Sequence, residues 1–334
     1  MRPESTLRGE LERAFGPHNA GWAGAGKIGA VSTAAGYASQ AEPVPGRIRA
    51  FLRLVMIEHS VFALPFALIA AFTAMWRDSR SIHYWQLLLI VVAMVSARTV
   101  AMAGNRILDR RFDALNPRTA RRELVTGAVS LTTAWRGFAV ALAIFLISAA
   151  LLGWLPLLLS PVAVGLLILY SYGKRFTDFP QALLALAQAI APIGAWMGVT
   201  GGFAWPATAL GLAVGTWIGG FDLIYSCQDA EIDRQIGSRS FPARFGIPAA
   251  LRWSSITHVV TVACYAWFGL AAGLGWVWWL GLAVTAAVLV YEHLIVKADD
   301  LSRVNRAFFT ANGFVGIQLF GFALVDLFVQ GLRP

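Results

Sequence analysis

WQLLLIVVAMVSARTVAMAGNRILDRRFD, residues Trp85–Asp113, is the stretch whose reading decides the fold. Its apolar part, Trp85–Asn105, carries one charge, Arg98. As a helix rising about 1.5 Å per residue it is long enough to cross the roughly 30 Å of hydrocarbon in a bilayer. The polar part follows at once. Asn105, Asp109 and Asp113 recur at every fourth position, which places them on one helix face. Carboxylates so spaced repel each other unless a cation sits between them, so the stretch predicts a membrane-spanning helix whose end is built to bind something.

The same pattern repeats along the chain. Apolar windows run over Val55–Met75, Trp85–Asn105, Trp135–Gly153, Leu155–Tyr172, Ala182–Val199, Ala207–Gln228, Trp253–Ala272, Trp276–Val296 and Phe308–Val329, with Pro, Gly and Trp marking the breaks. They predict an all-α, polytopic membrane protein with nine transmembrane helices. Composition agrees: 57% of the 334 residues are hydrophobic and 13% charged, against about a quarter charged in soluble domains, which excludes an ordinary soluble enzyme. The net charge of +9 could suggest nucleic acid, but the cations have a simpler distribution. They crowd the N-terminal stretch and the loops after every second window, with Arg136 at the edge of the next window, leaving Arg77, Arg80 and Arg333 on the other side and Arg98 deep inside a window. The bias of basic loops toward the cytoplasm then predicts a cytoplasmic N-terminus and an outer C-terminus, as in a bacterial inner membrane. Lipid accounts for the surface, and neither a nucleic acid nor an obligate protein partner is implied.

Residues 1–45, rich in Gly, Ala, Ser and Pro with mixed charge, read as a flexible cytoplasmic tail before a membrane domain over 46–334. No unbroken apolar run follows the first basic residues, and the acidic ones disfavour a transit peptide. Within the tail, GWAGAGKI at Gly21–Ile28 departs from a phosphate-binding loop at Ile28 and follows no strand, so it is read as chance. Cys227 and Cys264 lack any metal or redox spacing and read as core residues; His258 and His293 receive no chemistry.

A second acidic motif follows the sixth window: Asp222-Leu-Ile-Tyr225-Ser-Cys-Gln-Asp229-Ala-Glu-Ile-Asp233. Spacing by four again places Asp229 and Asp233 on one helix face. Two such motifs at one membrane boundary point to a shared metal site with Asn105, Asp109, Asp113, Asp229 and Asp233 as candidate ligands. Oxygen donors suit Mg²⁺, which is held by a few carboxylates together with waters and substrate phosphates, so a phosphorylated substrate is implied. A secondary transporter would instead carry its polar residues near the midplane on broken helices.

NRILDRRFDALNPRTARRELVTG (Asn105–Gly127) and FDLIYSCQDAEIDRQIGSRSFPARFG (Phe221–Gly246) resemble the UbiA superfamily of intramembrane prenyltransferases. EHSVFALPFAL (Glu58–Leu68), YSYGKRFT (Tyr170–Thr177) and APIGAW (Ala191–Trp196) extend the resemblance over about residues 50–330. It implies nine helices around a central cavity, with two Asp-rich motifs holding Mg²⁺ and a polyprenyl diphosphate, and an aromatic acid as acceptor. YEHLIVKADDLSRVNRAFFTANG (Tyr291–Gly313) and CQDAEIDRQIGSRSFPARFG (Cys227–Gly246) are most similar to the branch acting on 1,4-dihydroxy-6-naphthoate in the futalosine route to menaquinone; 4-hydroxybenzoate, of ubiquinone synthesis, is the alternative acceptor. One departure follows Thr177, where relatives carry Trp and then His but this chain has Asp178 and Gln181.

A diphosphate of about −3, two Mg²⁺ and four Asp leave a charge of roughly −3, so a membrane cavity needs more cations. Arg98, two helical turns before Asn105, is the first candidate, with snorkelling to the interface as its plain reading. Lys174, one turn after Tyr170, and Arg118 and Arg122 of the loop complete the set; the resemblance favours Arg98, Lys174 and Arg122 as diphosphate or acceptor contacts. The other loop arginines read as topological. Tyr170 and Tyr225 could offer π faces to an allylic cation. Asp222, two turns before Asp229, is placed either to orient or deprotonate an acceptor hydroxyl or to partner Arg98. Glu58 and His59 are candidates as intramembrane polar residues or a helix-packing pair.

Overall fold

Proline and glycine punctuate the helices. Pro65, Pro180, Pro206 and Pro248 occupy first-turn positions, where a missing N–H leaves no helical bond unmade. Gly201 and Gly273 close two helices at φ +67° and +78°, a left-handed conformation that a side chain would strain. The computed structural model describes residues 63–115 and 119–334. Their helices are α1 (Leu64–Asp78), α2 (Tyr84–Leu115), α3 (Glu123–Thr126), α4 (Leu131–Leu152), α5 (Trp154–Phe176), α6 (Pro180–Thr200), α7 (Trp205–Ser226), α8 (Ala230–Gln235), α9 (Phe241–Phe245), α10 (Ile247–Ala272), α11 (Trp276–Ile295) and α12 (Asn312–Val329). A 3-10 turn, Cys227–Asp229, joins α7 to α8, and a π-helical turn, Arg306–Ala311, leads into α12.

Eight stretches among the described residues are long and apolar enough to span a membrane, and the chain is an integral membrane protein. The further expected span, Val55–Met75, falls partly outside the described residues and ends within α1. The predicted tail, the Gly21–Ile28 segment, Glu58, His59 and Arg118 also lie outside them.

The helix that carries Asn105, Asp109 and Asp113 on one face, as their spacing predicted, runs past the apolar window to Leu115. At 32 residues α2 is about 48 Å long, more than the hydrocarbon needs, so its carboxylate end projects past it. Asp229 and Asp233, expected on one helix face, are divided: Asp229 ends the 3-10 turn that follows α7 and Asp233 lies on α8. Here the Leu223 carbonyl accepts from Ser226 Oγ at 2.9 Å and Cys227 Sγ at 3.3 Å, and these side chains compete with the regular backbone ladder.

The most deeply buried of the spanning stretches is that of α7. Gly211, Gly215 and Gly219 form a stripe against α6; a Cβ at Gly211 or Gly215 would lie 2.6 Å from the carbonyl oxygens of Ala189 and Ala185. Hydrophobic burial does not distinguish helix from lipid, so such small-residue contact is what binds helices there. On another side of α7, Ser254 Oγ of α10 donates to Gly220 O at 2.7 Å, and His258 Nε2 reaches Trp217 O at 3.2 Å. His258 and His293 also bond each other, at 2.9 Å. Phe66, Trp217, Tyr265, Phe268, Trp278 and Leu319 join α1, α7, α10, α11 and α12 in one core. Buried Asp326 caps α11, accepting from Gly275 N at 2.7 Å and Val277 N at 3.1 Å.

The C-terminus is stitched to the α1–α2 turn. Trp76 Nε1 and Arg80 Nη1 both donate to Gln330 O, at 3.2 and 2.7 Å. Ile82 N donates to Arg333 O and Arg333 N to Arg80 O. Arg80 adopts φ +59°, a strained conformation held by this clasp.

Gly215→Leu is expected to lower stability by about 1–3 kcal/mol or more, since the α6 backbone cannot give way as a flexible side chain would. Gly165→Ala, whose added Cβ meets nothing within 4 Å, should leave stability unchanged. Thermal unfolding in detergent compares them, and equal melting would deny the close approach its role.

Candidate active site

Three helix ends and the segments that leave them bring the polar residues together around one cavity of about 570 Å³. From α2 come Arg98, Asn105, Asp109 and Asp113; from α5, Tyr170 and Lys174; from α7, Asp222 and Tyr225; from beyond it, Asp229 and Asp233; and from the start of α3, Arg122. Every predicted site residue among those described lines this cavity. Its depth is aliphatic, with Ile90, Met94, Leu152, Leu159 and Leu167 in the walls.

The carboxylates are held by cations and amides. Asn105 Nδ2 donates to Asp109 Oδ2 at 2.8 Å, one turn away on the same face. Arg122 Nη1 bonds Asp113 Oδ1 at 2.5 Å, while Thr119 Oγ1 donates to the Asp113 carbonyl at 3.0 Å. Lys174 Nζ lies 3.4 Å from both oxygens of Asp233, tying α5 to α8. The backbone reinforces that link, with Arg239 N donating to Lys174 O at 2.9 Å. Asp113, Asp229 and Asp233 are buried, where an unbalanced charge would be costly.

Among the described residues no three Asp, Glu, His or Cys side chains close into a cage for a metal. The donors are nevertheless hard oxygens in two pairs on one cavity. That set fits an ion bound partly by carboxylates and partly by a ligand's phosphate oxygens, and not an all-protein site. Arg98 lies about 10 Å deeper along α2 than Asn105, and its Nε has no hydrogen-bond partner among the described residues.

Residues 63–314 match the UbiA prenyltransferase family. The chain belongs to that family. It is 32% identical over 245 residues to a 4-hydroxybenzoate octaprenyltransferase of Alkalilimnicola ehrlichii, covering 73% of this chain and 83% of that one. A protein of the same name from Chromohalobacter salexigens is 30% identical over 281 residues, covering 83% and 93%. Among solved structures, the apo form of a UbiA homolog from Aeropyrum pernix K1 is 36% identical, with a TM-score of 0.72 over 81% of this chain and 98% of that one. A UbiA homolog from Archaeoglobus fulgidus bound to GPP and Mg²⁺ shares the fold, with a TM-score of 0.60 at 21% identity over 83% and 99%.

Three features of this UbiA-family site were given no site role from the sequence. Arg175, read with the topological cations, sits 3.6 Å from Asp109 Oδ1. Its guanidinium lies 4.5 Å from the centre of the Tyr172 ring and 5.2 Å from that of Phe112, and it donates to Leu108 O at 2.7 Å. The adjacent Lys174 was the available signal. Gln181, noted as a departure, lines the cavity and donates from Nε2 to Ser226 Oγ at 3.2 Å. Because the Ser226 proton is committed to Leu223 O, Ser226 can only accept, which fixes the amide with its Nε2 toward Ser226. Phe308 and Phe309, hidden in the last apolar window, line the cavity next to Tyr225.

Arg98→Ala is expected to weaken binding of inorganic diphosphate with Mg²⁺ at least about tenfold in a calorimetric titration, the worth of one charged hydrogen-bonding group. Unchanged binding would return Arg98 to a membrane-anchoring role.

Proposed function

We propose that this protein transfers a polyprenyl group from a polyprenyl diphosphate to a small aromatic hydroxy acid in quinone synthesis, with 4-hydroxybenzoate as acceptor. The observation that carries the reading is the cavity itself: paired carboxylates and cations at one end, an aliphatic depth behind them, in a UbiA-family chain. The names of the relatives support 4-hydroxybenzoate. A second reading, 1,4-dihydroxy-6-naphthoate, is supported by the segment Tyr291–Gly313, which brings Phe308 and Phe309 to the cavity wall; Gln181 departs from the pattern expected for it.

Asn105, Asp109, Asp113, Asp229 and Asp233 would hold Mg²⁺, which when bound neutralises diphosphate charge and eases its departure. Arg98, Arg122 and Lys174 bind the phosphate oxygens. As the allylic C–O bond breaks, its electron pair stays on the diphosphate oxygen, and these cations stabilise the growing negative charge. Tyr170 and Tyr225 present π faces to the allylic cation. A ring carbon of the acceptor then forms the new C–C bond and releases its proton. Asp222 orients the acceptor hydroxyl and accepts proton density from it, raising the ring's electron supply. The aliphatic walls shelter the isoprenoid tail and keep water from the cation. The basic loops support a cytoplasmic mouth in a bacterial inner membrane, where the charged diphosphate and the acceptor arrive from water.

Purified protein given a prenyl diphosphate, Mg²⁺ and each acid in turn should form prenylated 4-hydroxybenzoate, read by mass spectrometry. Product with the naphthoate alone would select the second reading, and product with neither would overturn both. Asp109→Asn or Asp229→Asn should cut turnover at least about a hundredfold in a folded protein; near-normal turnover would remove the metal assignment.

A further inference from the structure

The π-helical turn before α12, Arg306–Ala311, buries Ala307 and Ala311 in the bundle, and such turns concentrate at functional sites. Its extra residue rotates what precedes it by about 100° relative to α12. The residues so re-aimed include Phe308 and Phe309. Phe308 sits 4.2 Å from Tyr225, ring centre to ring centre, and meets Phe221 edge-on at 5.1 Å; Phe309 meets Tyr225 edge-on at 6.4 Å. Both line the cavity on the side of Asp222 and Tyr225.

A polar anchor in the membrane holds this turn. Fully buried Asn312 accepts from Trp217 Nε1 of α7 at 2.8 Å and donates from Nδ2 to Glu292 Oε1 of α11 at 2.8 Å. It also donates to the carbonyl of Ala307, five residues back, from both its side chain, at 3.1 Å, and its backbone N–H. Glu292 is fully buried as well. A carboxylate in a membrane span is costly enough to mark a role, and this one secures the residue that locks the π turn.

We propose that Phe308 sets the size of aromatic ring the acceptor site admits, with Asn312 and Glu292 as its positioning residues. This rests on the prenyl-transfer reading above. The reacting ring carbon must come within about 3–3.5 Å of the allylic carbon, which lies where the carboxylates hold the diphosphate. The wall nearest the Asp222–Asp229 segment is this aromatic one, whereas the aliphatic walls lie deeper. A planar ring packs against aromatic neighbours edge-on or offset, and Phe308, fixed by Phe221 and Tyr225, bounds the space available to it.

The test compares kcat/KM for a one-ring acid, 4-hydroxybenzoate, with that for a two-ring acid, 1,4-dihydroxy-6-naphthoate, and measures KM for the prenyl diphosphate alongside. Phe308→Ala should shift the ratio toward the two-ring acid at least about tenfold, as removing a bulky group from a pocket does, while the prenyl diphosphate KM stays within about twofold. Asn312→Ala should shift it in the same direction through loss of the π turn. Glu292→Gln, whose amide oxygen still accepts from Asn312, should keep the wild-type ratio. If Asn312→Ala fails to fold, Phe308→Ala decides alone. An unchanged ratio in Phe308→Ala, an equal loss with both acids, or a prenyl diphosphate KM rising in step overturns the proposal. A wild-type protein inactive with both acids would instead fell the function on which it rests.

Discussion

Backbone contact between α6 and α7 is the constraint on which the site depends. In lipid, two apolar helices gain little by exchanging lipid for each other, so their spacing is decided by how closely the main chains can approach. Gly211, Gly215 and Gly219 remove the side chains that would hold α7 away from the carbonyls of Ala185 and Ala189. That approach brings the start of α6 against the end of α7, where Gln181 meets Ser226. It also sets α7 beside the cavity with Asp222 and Tyr225 in its wall.

Charge balance is the second determinant of the site. Asp109, Asp113 and Asp233 each have a guanidinium or ammonium partner, contributed by α5 or the loop before α3. These pairings keep the carboxylates from repelling one another before a ligand enters. On the function proposed above, a phosphate would compete for Lys174 and Arg122 while a divalent ion took over the oxygens they release. Binding is then an exchange of partners within a preformed shell, which costs less reorganisation than assembling the shell around the ligand.

Much of this was legible in the sequence because it depends on periodicity. The apolar windows marked the spans, and spacing by four brought Asn105, Asp109 and Asp113 to one cavity. What escaped depends on contacts between distant segments. Arg175 carries the same charge as its topological neighbours; only the positions of Phe112 and Tyr172 turn it toward Asp109. The break at Cys227–Asp229 follows from two side chains reaching one carbonyl, which spacing does not encode. Phe308 and Phe309 stood only at the start of an apolar window, because a π turn has no hydropathy signature. The reach of α2 past Asn105 was visible in the spacing by four and not in hydropathy, which measures the hydrocarbon alone.

The clasp between the α1–α2 turn and the C-terminus bears on biogenesis. Trp76 and Gln330 are 254 positions apart, so this contact waits until all the helices between them have been synthesised. Since α1 packs in the same core as α12, the first described helix must persist in the bilayer, incompletely covered, while the others are inserted one after another. Long-range closure of this kind is slow and leaves packing surfaces open to wrong partners. The segment after α12 therefore acts as a latch on assembly, closing a seam that stays open until α12 has joined α1 in the bilayer.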